Sequence, residues 1–144
     1  MSSKIRNINS SSLYLISTLM LITYIALVLF LCLANFSNST LVLPEYYLGI
    51  RIDRLFHFLM FFPYSFICYP FIKYKFKKIS KIWQLIVVLI ISGIVLATLV
   101  ECSQEALTTY RESDPIDLLA NLIGILSGSV LLSFLLRILK RTHR

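Results

Sequence analysis

The sequence predicts an all-α membrane protein, with four transmembrane helices in an antiparallel bundle, both termini cytoplasmic, and a single domain over residues 1–144. Three observations predict it. Of 144 residues, 58% are hydrophobic and 15% charged, whereas soluble domains run nearer half apolar and a quarter charged. Apolar runs at about 13–34, 55–72, 82–100 and 116–136 each approach the ~20 residues that cross a hydrocarbon core. The charges are also sorted between the loops. Lys4 and Arg6 precede the first run, Lys73, Lys75, Lys77, Lys78 and Lys81 lie between the second and third, and Arg137, Lys140, Arg141 and Arg144 end the chain. All seven acids, Glu45, Asp53, Glu101, Glu105, Glu112, Asp114 and Asp117, fall on the other side. The positive-inside rule places the basic side in the cytoplasm. The formal charge of +7 is therefore a topology signal, and without a basic stripe interleaved with polar residues it gives no case for nucleic acid.

The first run has no charge and follows two basic residues, as a secretory leader would. It is longer than a leader's apolar core and lacks a small-x-small cleavage site, so a retained anchor is expected. The sequons at Asn35 and Asn38 fall in the loop after it and match only at chance frequency.

The second run opens on Arg51, Asp53, Arg54 and His57. Asp53 and His57 are four residues apart and share a helix face that Phe61 and Tyr64 continue. An imidazole one turn inside the bilayer needs a partner, and Asp53, Glu101 or Asp117 would serve. Pro63 and Pro70 each remove a backbone donor, which predicts a bend. A bent, Phe-rich helix would open a lateral groove for a lipid chain; the alternative is aromatic side chains that simply face lipid.

In the third run, Gly93, Ala97, Glu101 and Gln104 form one stripe; in the fourth, Asp117, Asn121, Gly124 and Gly128 do the same. Aligned antiparallel, the stripes would set Gly93 and Ala97 against Gly128 and Gly124, as close-packing residues. Glu101 would then lie near Asn121 and Asp117. Asp114 before Pro115 fits a helix N-cap, and Asp117 faces the positive end of the dipole. Cys32, Cys68 and Cys102 show no redox or metal spacing and read as small apolar packers. A single His among acids is a weak metal pattern. Neither a metal nor a cofactor is expected.

These spaced polar residues resemble the VanZ-like family of small bacterial membrane proteins. The family's first motif, D-K-x-x-H-F-x-x-Y, stands here as Asp53, Arg54, His57, Phe58 and Phe61, with Arg for Lys and Phe for Tyr. The second, an acid, Gln, Arg, Asp, Asp, Asn and two glycines, stands as Glu101, Gln104, Arg111, Asp114, Asp117, Asn121, Gly124 and Gly128. The resemblance covers about residues 50–130. It implies a four-helix protein of the cell membrane with these residues in one site. The family's namesake is an accessory protein of glycopeptide-resistance clusters, which raises an effect on teicoplanin susceptibility as an expectation.

Three functional readings follow. The first is an outward-facing recess of Asp53, Arg54, His57, Glu101, Gln104, Arg111, Asp117 and Asn121 that binds membrane lipids, a lipid-linked envelope precursor or a glycopeptide, with Arg54 and Arg111 on a phosphate or carboxylate. The second is a membrane enzyme in which His57, with Asp53, Glu101 or Asp117, does acid-base work. The third is a structural or interaction protein whose polar residues only orient helices. A proton-coupled carrier is disfavoured, because four spans without internal duplication leave little room for alternating access. Oligomeric state is not legible.

Overall fold

The computed structural model describes residues 9–34, 46–47, 49–76, 78–79, 81–108 and 114–142. It contains α1 (Ser10–Leu33), β1 (Tyr46–Tyr47), β2 (Ile50–Arg51), α2 (Ile52–Phe61), α3 (Tyr64–Lys75), α4 (Ile82–Leu107) and α5 (Pro115–Thr142). Four helical stretches are long and apolar enough to cross a membrane: Ser10–Leu33, Ile52–Lys75, Ile82–Leu107 and Pro115–Thr142. Only helices keep every backbone amide paired inside lipid without a closed barrel. The two short strands pair antiparallel, Tyr46 with Arg51 and Tyr47 with Ile50. Gly49 in the turn has φ 78°, a backbone state that costs other residues.

The second span is two helices in sequence. α2 closes with Phe62 N–H on the carbonyl of Phe58, and α3 restarts when the N–H groups of Phe66 and Ile67 reach the carbonyl of Pro63. Pro63 has no N–H to continue the ladder, which is why the break falls there. Pro70 lies inside α3 without dividing it. α4 runs to Leu107, past the expected apolar limit near residue 100, because Glu101 and Gln104 turn their polar groups into the protein and continue the helix. α5 runs on to Thr142, where Lys140 and Arg141 complement the negative end of its dipole.

The bundle is apolar outside, and its interior combines an apolar core with buried polar groups. Leu19, Phe30, Ile91, Leu99, Val130 and Phe134 are exposed, while Ser17, His57, Ser65, Glu101, Gln104, Asp117, Asn121 and Ser129 are buried. That pattern suits a hydrocarbon solvent, in which apolar surface has nothing to gain from burial and polar groups must find protein partners. An apolar groove of about 460 Å³ opens beside Tyr24, between α1 and Ile67 of α3. Elsewhere Lys73, Lys81 and Lys140 gather around a recess of about 280 Å³.

Glycines set the closest approaches. A methyl at Gly124 would stand 2.6 Å from the carbonyl oxygen of Phe58 and 3.1 Å from the amide nitrogen of Phe62, and one at Gly128 would collide with the carbonyl oxygen of Phe62. Gly93 instead faces the side chains of Ile125 and Tyr64. The expected pairing of Gly93 and Ala97 with Gly128 and Gly124 is therefore not the one the chain makes. The α5 glycines serve α2, because the break at Pro63 brings the α2 backbone itself against α5, and only glycine leaves room for backbone on backbone.

Candidate functional site

His57 sits at the centre of the polar end, 1% exposed, on α2 one turn after Asp53. Its Nδ1 lies 3.0 Å from Oδ1 of Asn121 on α5, and the Asn121 amide donates from Nδ2 to Oε1 of Glu101 on α4 at 2.9 Å. The amide orientation follows from the carboxylate, which only accepts. Asn121 must present its nitrogen to Glu101, leaving its oxygen for the ring. An amide oxygen also only accepts, so Nδ1 of His57 is the donor. One chain of hydrogen bonds thus ties α4, α5 and α2 together and fixes the tautomer of a buried imidazole.

The other ring nitrogen looks toward acids. Nε2 lies 3.8 Å from Oδ2 of Asp117 and 4.0 Å from Oδ1 of Asp53, both beyond hydrogen-bond length. Asp53, His57 and Asp117 bring one donor atom each within 4.8 Å of one another. Glu101 Oε1 is 3.7 Å from Nδ1. Toward the loop before α5, Arg54 reaches Asp114 at 3.7 Å and Asp117 at 3.9 Å, and Arg51 reaches Asp114 at 3.6 Å. Asp114 meanwhile caps α5, its Oδ1 accepting from the N–H of Ile116 at 2.8 Å. Nε of Arg54 and Oδ1 of Asp117 are buried and make no hydrogen bond.

Asp53, Arg54, His57, Glu101, Asp117 and Asn121, all singled out from sequence, stand in this one layer. Gln104 does not bond to them; its amide donates to the carbonyl of Cys32 on α1 at 3.1 Å and joins that helix to α4. Arg111 lies outside the described residues, as do Glu45, Glu112 and the sequons. Arg51, noted in the sequence at the opening of the second run but given no role in the site, pairs with Asp114. In the apolar core Tyr24 donates from its hydroxyl to the carbonyl of Met60 at 2.5 Å, a contact with no sequence signal, because its acceptor is a backbone group that any residue carries. Of the cysteines, Cys32 and Cys68 are buried, as small packers would be, but Cys102 is exposed.

The chain thus carries an uncommon feature for a small apolar bundle: an imidazole and several carboxylates from α2, α4 and α5 in one buried layer beside two arginines. No curated protein and no solved structure matches it. A family model does, over residues 2–137, and by that match the chain belongs to the VanZ/LLP1 family.

Proposed function

We propose that this VanZ/LLP1-family chain is a multi-pass protein of the cell membrane whose polar layer binds the anionic head of a lipid or lipid-linked envelope molecule. In this reading the spans alternate in direction, both termini are cytoplasmic, and the layer lies beneath the outer headgroups, as the sorting of basic loop residues supports. The observation that carries the reading is Arg54. Its Nε is buried and makes no hydrogen bond, and its two carboxylate neighbours stand at ion-pair range only. A guanidinium held in this way has donors left for a phosphate or carboxylate, which it binds bidentately. Arg51, about two-fifths exposed, stands at the approach.

The test is thermal stabilisation of the purified protein by a panel of envelope lipids and glycopeptides, with bound lipid identified by mass spectrometry. Charge-assisted hydrogen bonds contribute about 1.5–3 kcal/mol each, so Arg54→Ala with Arg51→Ala is expected to weaken the stabilising lipid at least tenfold. Stabilisation unchanged in the double variant overturns the proposal.

The fixed tautomer of His57 favours a second reading, an enzyme in which Nε2, with Asp53, Glu101 or Asp117 nearby, exchanges protons with a lipid-linked substrate. Turnover that survives His57→Ala would remove it. An effect on glycopeptide susceptibility rests on the family's namesake alone; no residue of the layer argues for it.

A further inference from the structure

We propose that Asp53, His57 and Asp117 form a binding site for a divalent first-row metal ion of the Zn²⁺ or Mn²⁺ kind, with the His57 ring aimed by Asn121 and Glu101. The proposal departs from the expectation drawn from the sequence, where one histidine among scattered acids carried little weight. It also stands whether or not a lipid binds.

The tautomer comes first. Because Glu101 takes the Asn121 amide nitrogen, Asn121 Oδ1 takes the hydrogen on His57 Nδ1. In the neutral ring the lone pair is then on Nε2, and Nε2 is the atom that faces Asp117 Oδ2 at 3.8 Å and Asp53 Oδ1 at 4.0 Å. Three electron-rich atoms therefore converge, two of them on buried residues and the third on the half-buried Asp53. A histidine that donates one ring N–H to a fixed carbonyl and presents the other nitrogen to carboxylates has the arrangement seen around metal ions, where the outer partner sets ring orientation and basicity.

A second, separate observation is Asp117 itself. The residue is 7% exposed, and its Oδ1 makes no hydrogen bond. A carboxylate this buried is held by a paired charge or by a metal ion. Arg54 approaches that oxygen only to 3.9 Å and leaves Oδ2 to the His57 side. Charge points the same way: Asp53, Glu101, Asp114 and Asp117 outnumber Arg51 and Arg54 in the cluster, and a divalent ion balances the excess.

Donor chemistry narrows the ion. One imidazole and two carboxylates, with no thiolate in the group, suit a borderline cation and not a soft one such as Cu(I). Bond lengths near 2.0–2.2 Å put neighbouring donors of a tetrahedral site roughly 3.3 Å apart. The present spacings of 3.8 and 4.0 Å, with all three donors within 4.8 Å of one another, are wide by about half an ångström or more, and rotation of the two carboxylate side chains would draw them in. Asp53 and His57 share one turn of α2, and Asp117 is held on α5 by the glycine contacts described above, so the adjustment needs no helix to move. Three protein donors leave a coordination position open for water or for an oxygen of a bound headgroup.

The competing occupant is a proton on Nε2, which would make His57 an imidazolium between two carboxylates. Full-length protein in detergent, stripped with chelator and then given Zn²⁺ or Mn²⁺ alone, distinguishes the two. About one ion per chain is expected, with a raised melting temperature and, for Mn²⁺, an altered electron paramagnetic resonance spectrum. Losing two carboxylate ligands in Asp53→Asn with Asp117→Asn is expected to weaken the ion by more than ~100-fold, and Glu101→Gln, acting through the ring, by about 10–100-fold. Glu105→Gln, an exposed carboxylate nearby, should leave binding unchanged. Circular dichroism checks that each variant is folded, and both replacements at the ligands are isosteric. No bound ion in the wild type, equal binding in the double Asp variant, or an imidazolium signature at His57 in metal-treated protein would overturn the site. Lipid has no part in this assay, so its outcome is independent of the lipid proposal.

Discussion

Ser65 and Ser129, both fully buried, meet at 2.7 Å, and the hydroxyl of Tyr64 donates to Ser92 at 2.8 Å while Ser92 donates on to the carbonyl of Val88. Around Arg54, Asp114 and Asp117 the corresponding distances are 3.7 and 3.9 Å. The neutral layer is closed, since each hydroxyl has a partner at hydrogen-bond length. The ionisable layer closes through Asn121, which joins His57 to Glu101, but holds Arg54, Asp114 and Asp117 near one another without closing. Groups whose only task is to join helices gain by closing, because an unsatisfied polar atom in a low-dielectric interior costs about 1–3 kcal/mol. Charges held slightly apart at that cost make sense where a further molecule or ion completes them. The contrast separates helix adhesion from a site within one bundle.

The largest test of this contrast attacks adhesion where both layers depend on it. A methyl at Gly128 collides with the Phe62 carbonyl, a backbone atom that cannot rotate away. Gly128→Ala is expected to push α5 off α2 and cost about 3 kcal/mol, the upper part of the overpacking range. Unfolding in mixed detergent micelles measures it. Since α2 carries His57 and α5 carries Asp117, ligand or metal response should fall in the same variant. A wild-type unfolding curve would show that the close approach is not what positions the layer.

A smaller effect on folding, and a complete one on binding, is expected from charge removal without change of shape. The Asp53 and Asp117 carboxylates meet His57 and Arg54 only at 3.8 to 4.0 Å, and pairs held that loosely contribute little, so Asp117→Asn and Asp53→Asn should unfold within about 1 kcal/mol of the wild type while losing metal response. Glu101→Gln should behave alike, with a somewhat larger stability loss, because its oxygen accepts from Asn121. If stability and cellular activity fall together in all three, the ionisable layer is adhesion as well and the contrast fails.

Much of this was legible in the sequence, for reasons that particular residues make clear. Span number and approximate limits follow from apolar run length, and the meeting of Glu101 with Asn121 follows from helical stripes; the partner of His57 was expected to be a carboxylate, yet its hydrogen bond goes to the Asn121 oxygen at 3.0 Å while the carboxylates stand at 3.7 to 4.0 Å. Helix partners were less legible. Gly124 and Gly128 carry a small-xxx-small pattern that says a backbone comes close, but not whose; the pattern suits α4 and α2 equally, and the chain sets them on α2. Pro63 announced a disturbance, and only the geometry of the following turn decides between a bend and a restart. Gln104 was read into the site by its stripe, yet its length lets it reach the Cys32 carbonyl, a backbone acceptor with no sequence signature.

The smallest expected effect concerns the closed layer alone. Ser65 on α3 and Ser129 on α5, both 0% exposed, share one hydrogen bond. Removing one hydroxyl leaves the other buried and facing a methyl group, whereas removing both leaves two apolar surfaces in contact. Ser65→Ala and Ser129→Ala are each expected to cost about 1 kcal/mol, and the double variant less than their sum. The coupling should be about 0.6 kcal/mol, the usual size for interhelical hydrogen bonds in a bilayer protein. Ligand and metal response should be unchanged in all three variants, because no member of the ionisable layer bonds to either serine. A double-mutant cycle that is additive would deny the pair its adhesive role, and a loss of binding with folding intact would erase the boundary drawn between the two layers.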